Sequence, residues 1–213
     1  MNPVDAYLLA ALIGYLLGSS NMAIYVAKLK GVDLRAGGSG NPGASNAVTL
    51  MGWKAGVLVG IHDIGKAVLA VWLCSRLFPA SPHSGVVAGA ACVLGHIFPF
   101  YMRFRGGKGF AAYLGMIAAL NWRFALAVGV AIVLIVLVTD YIVLSTMTTV
   151  VSFPVLCAVS HNFVAAALVC LVSLVIIYKH RANLVRICLG TEIGVRAAGR
   201  GEHRVKQRDP CPR

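Results

Sequence analysis

The residue types best suited to holding a phosphate gather in three short stretches of an otherwise apolar chain. The first reads Gly37-Gly38-Ser39-Gly40-Asn41-Pro42-Gly43-Ala44-Ser45-Asn46. Glycines admit tight and left-handed turns that bring backbone N–H groups against an anion. Ser39, Ser45, Asn41 and Asn46 add side-chain donors, and a helix starting just afterwards would add its dipole and unpaired amides. The second stretch reads Gly95-His96-Ile97-Phe98-Pro99, then Phe104-Arg105-Gly106-Gly107-Lys108-Gly109. Pro99 can bend a helix near its end, Gly106 and Gly107 can wrap a phosphate, and Lys108 is a point charge. The spacing is not that of a Walker loop. The third reads Lys179-His180-Arg181-Ala182-Asn183 and continues through Arg186 to Gly190-Thr191-Glu192. On a helix His180 and Asn183 share a face. The imidazole can move a proton near neutral pH, and the amide can orient a substrate. Each block alone also reads as a flexible loop or a basic anchor at a membrane surface.

Two charged residues, Asp63 and Lys66, interrupt an apolar run. Charge inside a membrane segment is costly, so the pair is either an internal ion pair or one wall of the polar site. His62, His83, His161 and His203 have no partner spacing and are read as background. The cysteines show no CxxC pair and no Cys/His metal spacing, so neither a disulfide framework nor a metal or other cofactor is expected. Neither an HxxxxD pair nor a GxSxG elbow is present, so the sequence does not suggest a covalent acyl-enzyme.

The elements that must position these blocks are membrane helices. Of 213 residues, 59% are hydrophobic and 12% charged; a soluble domain carries about a quarter charged residues. The apolar runs are Val4–Ala27, Ala55–Phe78, Ser84–Met102, Phe110–Asn121, Phe124–Thr139, Tyr141–Val159 and Asn162–Tyr178. The expected fold is an all-α polytopic integral membrane protein with seven transmembrane helices. Five is the alternative if 110–139 forms a shallow hairpin. The first run lacks a basic leader and is read as a retained helix. Basic residues cluster in the first and third loops and the C-terminal region, whereas the alternate loops offer only Arg76 and Arg123. The positive-inside bias then sets the N-terminus outside, the C-terminus in the cytoplasm and all three polar blocks on the cytoplasmic face. The net charge of +12 fits that bias and anionic lipid, and nucleic acid is not an expected partner. Residues 1–192 read as one transmembrane domain and 193–213 as a basic, disordered cytoplasmic tail.

Taken in order, the blocks resemble the acyl-phosphate-dependent glycerol-3-phosphate acyltransferase family of bacteria, PlsY. Its first motif is similar to Gly38 through Asn46, with Ser45 in place of Thr. Its second is similar to Gly95–Pro99 running on to Phe104–Gly109, and its third to His180-Arg181-x-Asn183 ending at Gly190-Thr191-Glu192. Leu17-Gly18-Ser19, Val32-Asp33-Leu34-Arg35 and Asp63-x-x-Lys66 are also similar, so the likeness runs from about Tyr15 to Glu192.

The resemblance implies a multi-pass enzyme of the bacterial plasma membrane. It would move an acyl chain from acyl-phosphate to the 1-hydroxyl of sn-glycerol 3-phosphate, giving lysophosphatidate and phosphate. On that reading Ser39, Gly40, Asn41, Gly43, Ser45 and Asn46 cradle phosphate with His96, Gly106, Gly107, Lys108 and Gly109. His180 and Asn183 act with Lys108 in catalysis, orienting the acceptor hydroxyl or assisting its proton transfer, with the substrate's own phosphate as the other candidate base. Glu192 orients glycerol hydroxyls or holds the third motif. Three positions depart from the family pattern: Thr49 where the family has Arg, and Asp140 and Val143 where it has Arg and Ser. They leave open a diverged member that binds acyl-phosphate or lysophospholipid without turnover or uses another acceptor. A small anion transporter is the third reading.

Overall fold

The computed structural model describes residues 2–199. The chain folds as α1 (Pro3–Ser19), α2 (Met22–Leu29), α3 (Ala44–Met51), α4 (Trp53–Leu77) and α5 (Ser84–Ile97). A 3-10 turn at Phe100–Met102 precedes α6 (Phe110–Leu120), α7 (Trp122–Thr139), α8 (Ile142–Val159), α9 (Phe163–Cys188) and α10 (Val195–Gly199). Asparagines start four of the helices: Asn2, Asn21, Asn121 and Asn162 each accept a backbone N–H of the first turn. Such caps satisfy donors that a helix end leaves unpaired.

Every expected apolar run is helical. Among the described residues six segments are long and apolar enough to cross a membrane. The fourth run, α6, has 11 residues, about 16 Å at 1.5 Å per residue, roughly half a hydrocarbon core.

Two runs differ from their expected course. The first breaks at Ser20–Asn21, because Asn21 caps α2 through Ile24 N–H and donates to Pro42 O. The last does not stop at Tyr178: α9 continues to Cys188, which turns His180 and Asn183 onto one buried face. Of the expected tail, Val195–Gly199 is helical. Residues 200–213, with His203 and Cys211, lie outside the described residues.

Close helix approach organises the bundle. A Cβ on Gly14 would overlap the Ala88 backbone, and one on Gly18 the Cys92 backbone, so α1 and α5 touch through this GxxxG face. A Cβ on Gly115 would strike Ile64, giving α6 and α4 the same intimacy. The core between α6, α7, α8 and α9 holds Tyr113, edge-on to Phe153, which stacks on Phe124. The Tyr113 hydroxyl is 2.8 Å from Ser173 Oγ, so its polar end is paired.

Candidate active site

The loop between α2 and α3 is shaped by Asn46. Its Oδ1 accepts Ser39 N–H at 2.8 Å, and its Nδ2 donates to Leu34 O at 2.9 Å and Gly37 O at 3.3 Å. Gly38 and Gly40 take positive φ (58° and 67°), which lets the loop curl around that amide. Asn46 is buried and its polar atoms are engaged. The structure therefore makes it the loop's internal brace, in place of the expected direct phosphate donor.

The loop from Pro99 to Gly109 folds back on the end of α5. Gly107 N–H donates to His96 O and Gly106 N–H to Ile97 O, at 3.1 and 3.0 Å. Those two amides are spent on carbonyls that the helix end leaves open. They cannot also wrap a phosphate, which corrects the expectation for Gly106 and Gly107. Their small size is the operative property. A Cβ on Gly106 would strike His96 O, and one on Gly107 would press into the His96 ring. Gly109, at φ 94°, starts α6 in contact with Ile97 and Val93. Arg35 Nη2 donates to Arg105 O at 3.1 Å and ties the two loops together.

His96 itself belongs to a buried cluster beneath the loops, and not to a phosphate cradle. Lys66 Nζ donates to Ser20 O at 2.7 Å, to Asp63 Oδ1 at 2.8 Å and to His96 Nδ1 at 2.9 Å. An ammonium only donates, so His96 Nδ1 accepts and the ring's proton sits on Nε2. The broken helix at Ser20 thus offers Lys66 a carbonyl, and α1, α4 and α5 are pinned at one point. Asp63–Lys66 is an internal ion pair, one of the two readings its spacing allowed. His62 joins it, 3.1 Å from Ser20 Oγ and 3.4 Å from Asp63 Oδ1. Reading His62 as background missed this, because its partner Ser20 lies 42 residues away.

The two loops and α9 enclose a cavity of about 340 Å³. Ser39, Gly40, Asn41 and Pro42 line it from the first loop, and Arg105, Gly106 and Lys108 from the second. Lys179 and Arg181 of α9 also line it, as does Arg35, which bridges the two loops through Arg105 O. Among the described residues, five that line it are cations and none is acidic. Of the expected phosphate ligands, Ser39, Gly40, Asn41, Gly106 and Lys108 are brought together here. Gly43, Ser45, Asn46, His96, Gly107 and Gly109 do not line it, and neither do His180, Asn183 and Glu192. Gly43 is the N-cap of α3, and Ser45 is exposed on that helix. Four of the five cations fell to the positive-inside bias in sequence, where membrane anchors and ligand-binding residues look alike.

Lys108 Nζ donates to Asn183 Oδ1, and Asn183 Nδ2 donates to Glu192 Oε1 at 2.5 Å. Glu192 Oε2 accepts Arg186 Nε at 2.6 Å. Ammonium on one side and carboxylate on the other leave the Asn183 amide one sensible orientation. Glu192 therefore holds the third motif, the second of its two expected roles. Burial pushes the Lys108 ammonium down to about 8, the Glu192 carboxylate opposing the shift and Arg186 and Lys179 adding to it. One turn before Asn183, His180 Nδ1 lies 2.9 Å from Ile176 O. A carbonyl only accepts, so Nδ1 carries the proton and Nε2 is the basic nitrogen of the neutral ring. Asp140 and Val143 do not line the cavity. Thr49 packs next to Gly38, its methyl 3.6 Å from where a Cβ would stand.

The Glycerol-3-phosphate acyltransferase family profile matches residues 8–190. The chain is 35% identical over 189 residues to glycerol-3-phosphate acyltransferase 1 of Oceanobacillus iheyensis, covering 85% of this chain and 91% of that one. It is 37% identical over 187 residues to the glycerol-3-phosphate acyltransferase of Parasynechococcus marenigrum, covering 87% and 88%. The fold is similar to the crystal structure of PlsY (YgiH), an integral membrane glycerol 3-phosphate acyltransferase, in its glycerol 3-phosphate form. There the TM-score is 0.82 at 35% identity, over 88% of this chain and 94% of that one. The match to the lysophosphatidic acid form has a TM-score of 0.79. With sequence, fold and motif order in agreement along nearly its whole length, the chain belongs to the glycerol-3-phosphate acyltransferase family.

Proposed function

We propose that this membrane acyltransferase moves a fatty acyl group from acyl-phosphate to the 1-hydroxyl of sn-glycerol 3-phosphate, releasing lysophosphatidate and phosphate. The observation that carries the reading is the cavity that the described residues line with five cations and no carboxylate, adjoining the Lys108–Asn183–Glu192 relay. Two phosphate groups, each carrying about −1.5 to −2 near neutral pH, match that charge in a way one would not. Ser39, Gly40 and Asn41 hold one phosphoryl group with Arg35 and Arg105. Lys108, with Lys179 and Arg181, holds the other.

The acceptor's hydroxyl oxygen attacks the acyl carbonyl carbon, and the bond from that carbon to the phosphate oxygen breaks. The hydroxyl proton goes to His180 Nε2, which Nδ1–H···Ile176 O leaves as the accepting nitrogen. Lys108 offsets charge gathering on the departing phosphate, which keeps the bonding pair and takes up the proton from His180, restoring the neutral ring. The anhydride is already activated, so no enzyme nucleophile is required. Basic loops on one side favour a cytoplasmic active site, an external N-terminus and a place in the bacterial plasma membrane. Residues 1–192 then form the acyltransferase domain.

The test is direct. Purified protein in lipid receives acyl-phosphate and glycerol 3-phosphate while phosphate and lysophosphatidate are followed. Equimolar release of both is expected, with His180→Ala slowing turnover by 10²-fold or more, on the order of general-base catalysis. Phosphate release that does not depend on glycerol 3-phosphate would overturn the acceptor assignment. Undiminished turnover in His180→Ala would remove that residue's role.

A further inference from the structure

We propose that Asp140 is a positioning residue for the Lys108–Asn183 pair, acting by clasping the chain segment from which Glu192 reaches Asn183. Asp140 ends α7 in the left-handed region at φ 65°. From there both its backbone and its side chain face residues 194–196. Its carbonyl accepts Val195 N–H at 2.9 Å, and its Oδ1 accepts Arg196 N–H at 3.0 Å. Arg196 Nη2 donates in turn to Leu137 O at 2.8 Å, one of the carbonyls that the end of α7 leaves open. A Cβ on Gly194 would stand 2.6 Å from Asp140 Cγ, so the closeness of the clasp depends on glycine there.

Glu192 lies two residues before this glycine. On its other side Thr191 N–H and Glu192 N–H both donate to Arg186 O, at 2.8 and 3.2 Å. The Glu192 backbone is thus held at both ends, by the C-terminal turn of α9 and by Asp140. Its carboxylate, almost buried, is aimed at Asn183 Nδ2 and Arg186 Nε. The short α10 that follows packs on α3, the helix leading out of the Ser39–Asn41 loop. Asp140 therefore joins the α7 end to the segment that orients Asn183 against Lys108, without lining the cavity itself. Arg196 is largely exposed, so the contact acts through the backbone-directed hydrogen bonds more than through ion pairing.

The consequence is read at Lys108. The groups facing it are Glu192, Arg186, Lys179 and His180, with Arg35, Arg105 and Arg181 around the same cavity. Glu192 is the acid of that set, and it alone raises the ammonium's affinity for its proton. Releasing the clasp lets Glu192 withdraw, leaving burial and the cations to lower the Lys108 titration further.

The experiment uses the full chain in lipid and two readouts. The first is the pH at which Lys108 becomes half-reactive towards acetic anhydride, followed by peptide mass spectrometry; it is independent of turnover. The second is the kcat and KM of acyl transfer against pH, which rests on the function proposed above. Asp140→Ala is expected to move Lys108 reactivity to lower pH and to cut kcat by about three- to ten-fold, the range of one or two lost hydrogen bonds. Asp140→Asn keeps the Oδ1 acceptor and is expected to stay near the wild-type titration. Arg196→Ala, which leaves Asp140 in place, should give a smaller shift in the same direction and serves where Asp140→Ala does not fold. An unchanged Lys108 titration in both alanine variants overturns the proposal. A shifted titration in protein without acyl transfer would retain the clasp and reject the reaction.

Discussion

Replacing Lys108 by Met tests the site most directly, because it removes the ammonium and keeps an unbranched apolar stem. Two losses follow from the geometry. The departing phosphate loses a charge-assisted hydrogen bond, a contact whose net contribution is about 1.5–3 kcal/mol. At about 1.36 kcal/mol per factor of ten, kcat/KM should fall roughly 10- to 150-fold. Asn183, 6% exposed, also loses the donor to its Oδ1. A buried acceptor left unpaired costs about 1–3 kcal/mol, which lowers the melting temperature unless water replaces the amine.

Phosphate and lysophosphatidate release, measured with thermal melts in the same lipid, separates the two losses. The pH profile adds a third check. Since burial holds Lys108 near about 8, the ammonium is present below that pH and is lost as pH rises through it. A bound phosphate dianion favours the charged form, so the alkaline limb of the loaded enzyme lies above that value. Lys108→Met should lack the limb. A fall of less than about three-fold with an unchanged melt, against the 10-fold lower bound expected from one charge-assisted bond, would refute the assignment. So would coincident alkaline limbs in the two proteins.

Two further outcomes are expected. Gly107→Ala presses a methyl into the His96 ring, whose Cε1 and Cδ2 would lie 2.9 and 3.0 Å from it. That ring is pinned by Lys66, so the melt should drop as for an overpacked core, about 1–3 kcal/mol, with turnover falling alongside; a melt equal to wild type would show that the loop relaxes freely. Thr49→Arg sets a guanidinium on α3 next to Gly38, the residue before the cavity-lining Ser39, and should lower the KM for glycerol 3-phosphate by roughly ten-fold. An unchanged or raised KM in steady-state kinetics would show that this departure from the family pattern does not weaken acceptor binding.

Much of the site was visible as residue type before any fold was known. Lys108, His180, Asn183 and Glu192 stood out because polar groups are rare in this chain, and the structure links Lys108, Asn183 and Glu192 in one relay, with His180 one turn before Asn183 on the same buried face of α9. Asn46 and His96 stood out equally, yet they serve as braces. A side chain that stabilises a loop from inside and one that offers donors to a ligand have the same chemistry. Only the partners at Leu34, Gly37 and Lys66 tell them apart. The same limit applies to Gly106 and Gly107, whose amides could have faced a phosphate until His96 O and Ile97 O were seen to take them. The Gly14/Gly18 face was available as a spacing and passed unread; its meaning needed the opposing backbone of Ala88 and Cys92.

The length of the apolar runs, the rarity of charge and the Asn caps determine by themselves that the chain forms membrane-length helices, since each is a property of one continuous stretch of chain. The Asp63–Lys66 pairing is likewise local, one helical turn. What only the tertiary structure decided is where the breaks between helices point. It joined Ser20 O, Lys66 and His96 into one anchor, turned five basic residues from three segments onto a common cavity, and set Asp140 against Gly194. The physical reason is that a charge has no preferred neighbour in sequence. Its effect depends on distance and burial, and these arise only when α1, α4, α5 and α9 are packed together.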